Sequence, residues 1–359
     1  MVTKQRKSGT RVKAGGRYGR YMSDQPSTAH ADDARPAAEP VHSAAEAVHP
    51  VVELILHRAA AGSRPLERTD GARLALVLEG GSSRAAYGGG MICALEARGL
   101  LPVFDAVYGS SAGALNGAWF LCGRARESVH GWWIPESMNA VIEPRRALRG
   151  QPMVDTDVLV DHVYEDITPM GFEEILASDV EFHPIATETT TGDSVDLAPL
   201  IHDRASLKDA LRASTRIPLI GGKPVTMAGR TFIDAGVAEN VPIRTALAQG
   251  ATHVLAIRTQ PPRPDPAPPS AVELRLVHSW MVRHAPGAVT AWVSRHERVL
   301  EEEHILATDP RVLQVAPPKG TPGISIVGRS GETQRLAVSV GRAAMTTALS
   351  VIAPDRPGR

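Results

Sequence analysis

The 359-residue sequence has only two cysteines, Cys93 and Cys122, and no net charge, with 39 Lys and Arg against 39 Asp and Glu. Two thiols exclude a disulfide framework, which suits a reducing compartment. Both lie in apolar helical surroundings and read as core thiols. Charge balance argues against a nucleic-acid footprint. Aromatic residues make up 4% of the chain. No apolar run approaches the ~20 residues that a membrane-spanning helix needs. No C-x-x-C or H-E-x-x-H occurs, so a metal site has no support, and the thirteen histidines are scattered. The basic start (Lys4, Arg6, Lys7, Arg11, Lys13, Arg17 and Arg20) lacks the apolar stretch of a signal peptide. It reads as a disordered tail or an over-extended gene start with Met22 as initiator; contact with anionic lipid is the alternative. Residues 24–50, rich in Ala, Pro, His and acids, have a disordered composition.

What is present is a G-x-S-x-G turn, Gly109-Ser110-Ser111-Ala112-Gly113. An apolar, partly β-branched run, 104–108, precedes it, and a small apolar run, 114–121, follows. A serine at such a strand-to-helix turn projects its hydroxyl out of the backbone, where a carbonyl can reach it. Flanking glycines tolerate the turn and leave room for the approach. Ser111 is therefore a candidate nucleophile.

A second turn, Glu79-Gly80-Gly81-Ser82-Ser83-Arg84, follows the short apolar strand 74–78 and leads into a helical run. Glycine-rich turns of this kind leave backbone N–H groups free to hold a phosphate or an oxyanion. The spacings of a P-loop or a dinucleotide fold are absent. A tight turn without a ligand is the plain alternative. A third segment, Phe232-Ile233-Asp234-Ala235-Gly236, puts a carboxylate at the end of a short strand, where an isolated Asp would be a cap or turn residue.

In this order the three segments resemble the patatin-like phospholipases, which pair a G-G-G-x-R-G oxyanion loop with G-x-S-x-G and D-G-[GA]. The resemblance covers residues 72–260 and continues more weakly to about 350. The Ala210–Pro218 run (A-L-R-A-S-T-R-I-P) and Asn240-Val241-Pro242 also match. It implies that Ser111 is a nucleophile partnered by Asp234, without histidine. It also implies an oxyanion or substrate loop made of Gly80, Gly81, Ser82, Ser83 and Arg84, with Gly109, Gly113 and Gly236 as motif glycines. Arg84 would brace that loop or bind an anionic head group. The implied activity is acyl transfer from a lipid ester to water through an acyl-enzyme, with no cofactor, in a cytoplasmic protein that touches membrane surfaces transiently. The sequence departs from the pattern at Ser82, Ala85 and Ala235, each standing where glycine is expected. Two other readings stay open: an inactive lipid-binding relative, and a Ser–Asp–His triad completed by His253, His278 or His284.

Alternating strands and helices imply an α/β fold, a mostly parallel sheet with helices on both faces, and the resemblance makes it a patatin-like three-layer sandwich. The expected order is a tail at 1–44, a short helix and linker at 45–71 interrupted by Pro50, and a catalytic core at 72–260. A Pro-rich connector at 261–270, a helical extension at 271–352 that completes the same domain, and a tail at 353–359 follow. Expected strands are 74–78, 104–108, 180–187, 252–258 and 311–316. Expected helices are 86–98, 112–122, 156–163, 172–177, 207–213, 271–284, 288–306 and 333–351. The pair Trp132-Trp133 reads as packing residues, with an apolar wall over an acyl pocket as the alternative.

Overall fold

The computed structural model describes residues 48–264, 266 and 270–350. The basic start, the Ala- and Pro-rich stretch through 44, the tail at 353–359 and part of the proline-rich connector lie outside the described residues. The first helix, α1 (Pro50–Ala60), begins at Pro50 rather than being interrupted by it. Proline fits the first helical position, where its missing N–H would be unpaired anyway, and the His49 ring accepts the Val51 N–H at 3.2 Å. Arg58 of α1 is fully buried and donates to Asp70, Asp105 and the Val103 carbonyl.

The core alternates β1 (Leu74–Leu78), α2 (Ala86–Glu96), β2 (Ala106–Ser110) and α3 (Ala112–Leu121). It continues through β3 (Glu181–Glu188), β4 (Ser194–Asp196), α4 (Arg204–Ser214), β5 (Val225–Met227), β6 (Arg230–Ile233) and β7 (His253–Ile257). Helices α5 (Ala271–His284) and α6 (Arg295–Thr308), strand β8 (Val312–Val315) and helix α7 (Gly331–Ser350) follow. One sheet runs β5-β6-β3-β2-β1-β7-β8, with β4 paired to β3. The pairs among β3, β2, β1, β7 and β8 are parallel, whereas β4 and β6 pair antiparallel with β3. Strand β1 reads LALVL and is buried on both faces, as a central parallel strand must be. Leu74, Leu76 and Leu78 enter a core shared with α2, α3 and α7; Ala75 and Val77 enter a second core shared with Ile243, Ala246 and Leu306. The three-layer α/β architecture is thus observed.

Helix α7 lies against α2 at backbone distance. A Cβ on Gly90 would stand 2.0 Å from the Val338 carbonyl oxygen, and one on Gly341 would stand 1.9 Å from that of Tyr87. Glycine at both places is what lets the C-terminal helix cover this face.

Three expected elements differ. The 288–306 helix breaks at Ser294 into Val289–Val293 and α6. The 156–163 helix is one α-turn followed by a π-helix over Leu159–Ile167. Strand 104–108 sits two residues later, so β2 runs directly into Ser111.

Candidate active site

Register alone brings Ser111 and Asp234 to one place. Ser110 pairs with Ile185 on one side of β3, and Ile233 pairs with Thr187 on the other. Each candidate is the next residue along, so both flank Ala186, about two strand spacings or ~10 Å apart at the backbone. Their side chains close the gap: Ser111 Oγ donates a 2.6 Å hydrogen bond to Asp234 Oδ2. Both residues are buried.

Ser111 has φ +52° and ψ −130°, the strained turn expected of a projecting serine. The flanking glycines serve approach rather than dihedral freedom. A Cβ on Gly109 would lie 2.4 Å from Ala114 Cα, and one on Gly113 would lie 2.4 Å from the Leu78 carbonyl oxygen. The Ser111 N–H donates to Ser214 Oγ at 3.0 Å. Asp234 is fixed from several sides. Its Oδ1 accepts the Gly236 N–H at 2.8 Å, its N–H donates to the Arg216 carbonyl at 2.9 Å, and its carbonyl accepts the Thr187 hydroxyl at 2.9 Å. The Ala210–Pro218 run thus orients both partners of the pair. Burial raises the Asp234 pKa to about 6, against the opposing pull of the Ser111 and Gly236 hydrogen bonds.

The glycine-rich loop borders the same site. A Cβ on Gly80 would come within 3.2 Å of Ser111 Cβ. Ser82, Ser83 and Ser111 line one cavity. Among the described residues, the Gly81 and Ser82 N–H groups donate to no backbone or side-chain acceptor. Ser82 has φ +48°, so the substitution for glycine falls where glycine is favoured; Ala85 and Ala235 do not have positive φ. Ser82 Oγ donates to the Ile326 carbonyl at 2.7 Å, and Ser83 Oγ reaches the Ile326 and Gly328 carbonyls at 3.1 Å. Arg84 makes no ion pair among the described residues, and burial lowers its pKa despite the pull of Glu79. Its Cβ would stand 3.3 Å from a Cβ on Gly81, so it packs against the loop.

Sequence reasoning missed the frame behind that loop. The Glu79 carboxylate is buried and accepts from Arg258 Nε, the Thr259 N–H, Asn240 Nδ2 and Gln260 Nε2. The Asn240 carbonyl accepts the Gly80 N–H at 2.9 Å. Glu302, on α6, accepts the Asn240 and Val241 N–H groups, and burial together with Glu239 raises its pKa. The one available signal was an acid directly after a fully apolar strand, at Glu79.

Behind Ser111 lies a narrow, mostly apolar cavity of about 80 Å³, lined by Leu115, Trp119, Trp132, Met138, Leu159 and Val163 among others. Trp132 is therefore a cavity wall, the reading given second place above, and Trp133 is not among the lining residues. Among the described residues, no histidine ring hydrogen-bonds Ser111 or Asp234. His253 meets Thr252 Oγ1, His284 stacks on Trp280, and His278 is exposed on α5. No cluster of His, Cys, Asp or Glu among the described residues could hold a metal ion. No helix among them is long and apolar enough to cross a membrane.

Residues 76–247 match the family model of the patatin-like phospholipases, a span that contains Gly80 through Arg84, Ser111 and Asp234. The uncharacterized protein YjjU of Escherichia coli strain K12 is 26% identical over 269 residues, 72% of each chain. The mouse 1-acylglycerol-3-phosphate O-acyltransferase Pnpla3 is 28% identical over 146 residues, 39% of this chain and 33% of that one. Among solved structures, VipD of Legionella pneumophila is 13% identical, covering 80% of this chain and 70% of that one, with a TM-score of 0.41. That likeness is too remote to carry an argument about activity. The matched span, just under half of the chain, lies within the three-layer sheet, so residues 76–247 are similar to the patatin-like phospholipases in sequence and the fold agrees with that likeness.

Proposed function

We propose that this protein hydrolyses lipid esters through a Ser111–Asp234 dyad. The 2.6 Å bond between Ser111 Oγ and Asp234 Oδ2 at the mouth of an apolar cavity carries the reading. Ser111 Oγ attacks the ester carbonyl while Asp234 takes its proton. The new oxyanion is held by the Gly81 and Ser82 N–H groups; one such donor typically contributes roughly 3–4 kcal/mol to lowering the barrier. Collapse breaks the ester C–O bond, and Asp234 returns the proton to the departing alcohol. Water then attacks the acyl-enzyme carbonyl while Asp234 takes its proton; collapse breaks the bond to Ser111 Oγ, Asp234 returns the proton to that oxygen, and the fatty acid leaves.

A free aspartate, with a pKa near ~3.9, is a weak base toward an alcohol. Burial raises Asp234 to about 6, closer to the range where a general base works at neutral pH. The acyl chain occupies the apolar cavity, and Arg84 braces the oxyanion loop. Ester hydrolysis by purified protein beside Ser111→Ala and Asp234→Ala tests the reading. Turnover is expected from the parent alone. Equal background rates in all three would favour an inactive lipid-binding relative.

A further inference from the structure

We propose that the loops 143–153 and 217–224 form a face that docks on an anionic lipid bilayer and passes an acyl chain to the cavity behind it. The second half of this statement rests on the lipid-hydrolase reading. Ile142 and Val154 form an isolated antiparallel bridge, and both line the cavity. The chain between them therefore projects outward from the cavity wall. It carries the short 3-10 turn Pro144–Arg149, with Leu148 at its tip 89% exposed. Arg145 and Arg149 flank that leucine, are exposed, and make no ion pair among the described residues.

The second loop grows from the same wall. Ile217 lines the cavity, and two residues on, Leu219 is 44% exposed at φ +70°. Lys223 is exposed and likewise unpaired among the described residues. The loops are joined: the Val154 N–H donates to the Ile220 carbonyl at 3.0 Å, and a Cβ on Gly222 would lie 3.2 Å from Pro152 Cγ.

The acids on this side are already engaged. Asp157 and Asp161 pair with Arg212, Asp157 also with Arg216, and Asp161 also with Lys208. Asp209 pairs with Arg212, Asp155 with Arg146, and Glu143 with Arg329. The free charge is therefore positive, at Arg145, Arg149 and Lys223. Cations around exposed leucines match a surface that offers phosphates over hydrocarbon. Guanidinium groups suit phosphate oxygens, and Leu148 and Leu219 would enter the acyl boundary. An acidic protein would satisfy the cations, but it would leave the leucines and the apolar cavity at the base of both loops without a purpose.

The test uses Ser111→Ala protein, so that no lipid is consumed, and sedimentation with vesicles of phosphatidylcholine alone or mixed with phosphatidylglycerol. Partition is expected only with the mixed vesicles and should fall as salt rises. The paired change Arg145→Glu/Arg149→Glu and the single change Leu148→Glu should each lower it by about tenfold or more. An environment-sensitive dye on Leu148→Cys, in a Cys122→Ser background, should brighten on the mixed vesicles. Thermal melting checks that each variant folds; if the reversed pair does not, Arg145→Gln/Arg149→Gln replaces it with the same expected direction. Unchanged partition in folded variants, equal binding to neutral vesicles, or a silent dye on bound protein would each overturn the proposal. Partition on silent protein and turnover on the parent are separate readings, so failure of docking and failure of the dyad are told apart.

Discussion

Ser82 Oγ donates to the Ile326 carbonyl at 2.7 Å, tying the glycine-rich loop beside Ser111 to a segment 244 residues further along the chain. Ser83 Oγ joins it on the Ile326 and Gly328 carbonyls, and Tyr87 Oη donates to the Pro322 carbonyl at 2.8 Å. The segment just before α7 is therefore strapped to the turn proposed to present the oxyanion donors. Glycine at position 82 would relieve the backbone, but it could not make this bond. The departure from the family pattern exchanges conformational ease for an anchor.

Two substitutions separate these effects. Both Ser82→Ala and Ser82→Gly lose the hydrogen bond, but only alanine keeps the cost of φ +48°. Ser82→Gly is expected to be more stable than Ser82→Ala by about 1 kcal/mol in urea unfolding. Both should speed amide exchange around Ile326. The reverse order of stability would mean that the loop does not hold a left-handed residue.

Asp234 makes a pH signature. Its folded pKa, about 6, is raised above the ordinary value of 3.8. The folded state therefore holds the proton more tightly, and stability from this group falls as pH rises from about 4 through 6. Asp234→Asn removes that penalty while keeping an acceptor for the Gly236 N–H. The variant is expected to gain on the parent by up to about 3 kcal/mol between pH 4 and 7, while its hydrolysis is lost. The parent's kcat/KM should fall about tenfold per pH unit below about 6. A flat profile there would contradict Asp234 as the base.

The proposed acyl site makes the cavity wall a test of chain length. Leu159 lines the cavity at the start of the π-helix. Leu159→Trp should cut kcat/KM for palmitoyl esters by about tenfold or more, because overpacking costs roughly 1–3 kcal/mol, and leave butyryl esters nearly untouched. Equal losses on both would place the acyl chain elsewhere.

The α2–α7 contact leaves no space. A Cβ at Gly341 would stand 1.9 Å from the Tyr87 carbonyl oxygen, which belongs to backbone and cannot swing aside. Gly341→Ala is expected to destabilise by about 3 kcal/mol or more, read from the urea midpoint. A loss within ordinary surface-mutation range would show that α7 is free to move away from α2.

The parallel centre of the fold was legible because its strands are continuous apolar runs punctuated by glycine turns, as in LALVL before Glu79 and AVYGS before Ser111. The boundaries of α5 are those expected, although its apolar residues Val272 and Leu276 remain exposed. Short antiparallel strands such as β4 and β5 give too few residues for a period to register. The π-helix at 159–167 was invisible because a wider turn leaves no composition cue. Ser111 and Asp234 were found through motifs, but their supports were not. Ser111 and Ser214 are 103 residues apart, Thr187 and Asp234 are 47, Asn240 and Glu302 are 62, and Glu79 and Thr259 are 180. Hydrogen bonds over such separations leave no local pattern and exist only once the sheet has formed.

Labelling with a long-chain fluorophosphonate, followed by mass mapping of the modified peptide, tests the dyad most directly. One equivalent is expected on Ser111 in the parent and none in Ser111→Ala. In Asp234→Asn the rate should be lower by about a hundredfold or more, as for loss of a general base. Label on another residue, or Asp234→Asn reacting as fast as the parent, would contradict the account.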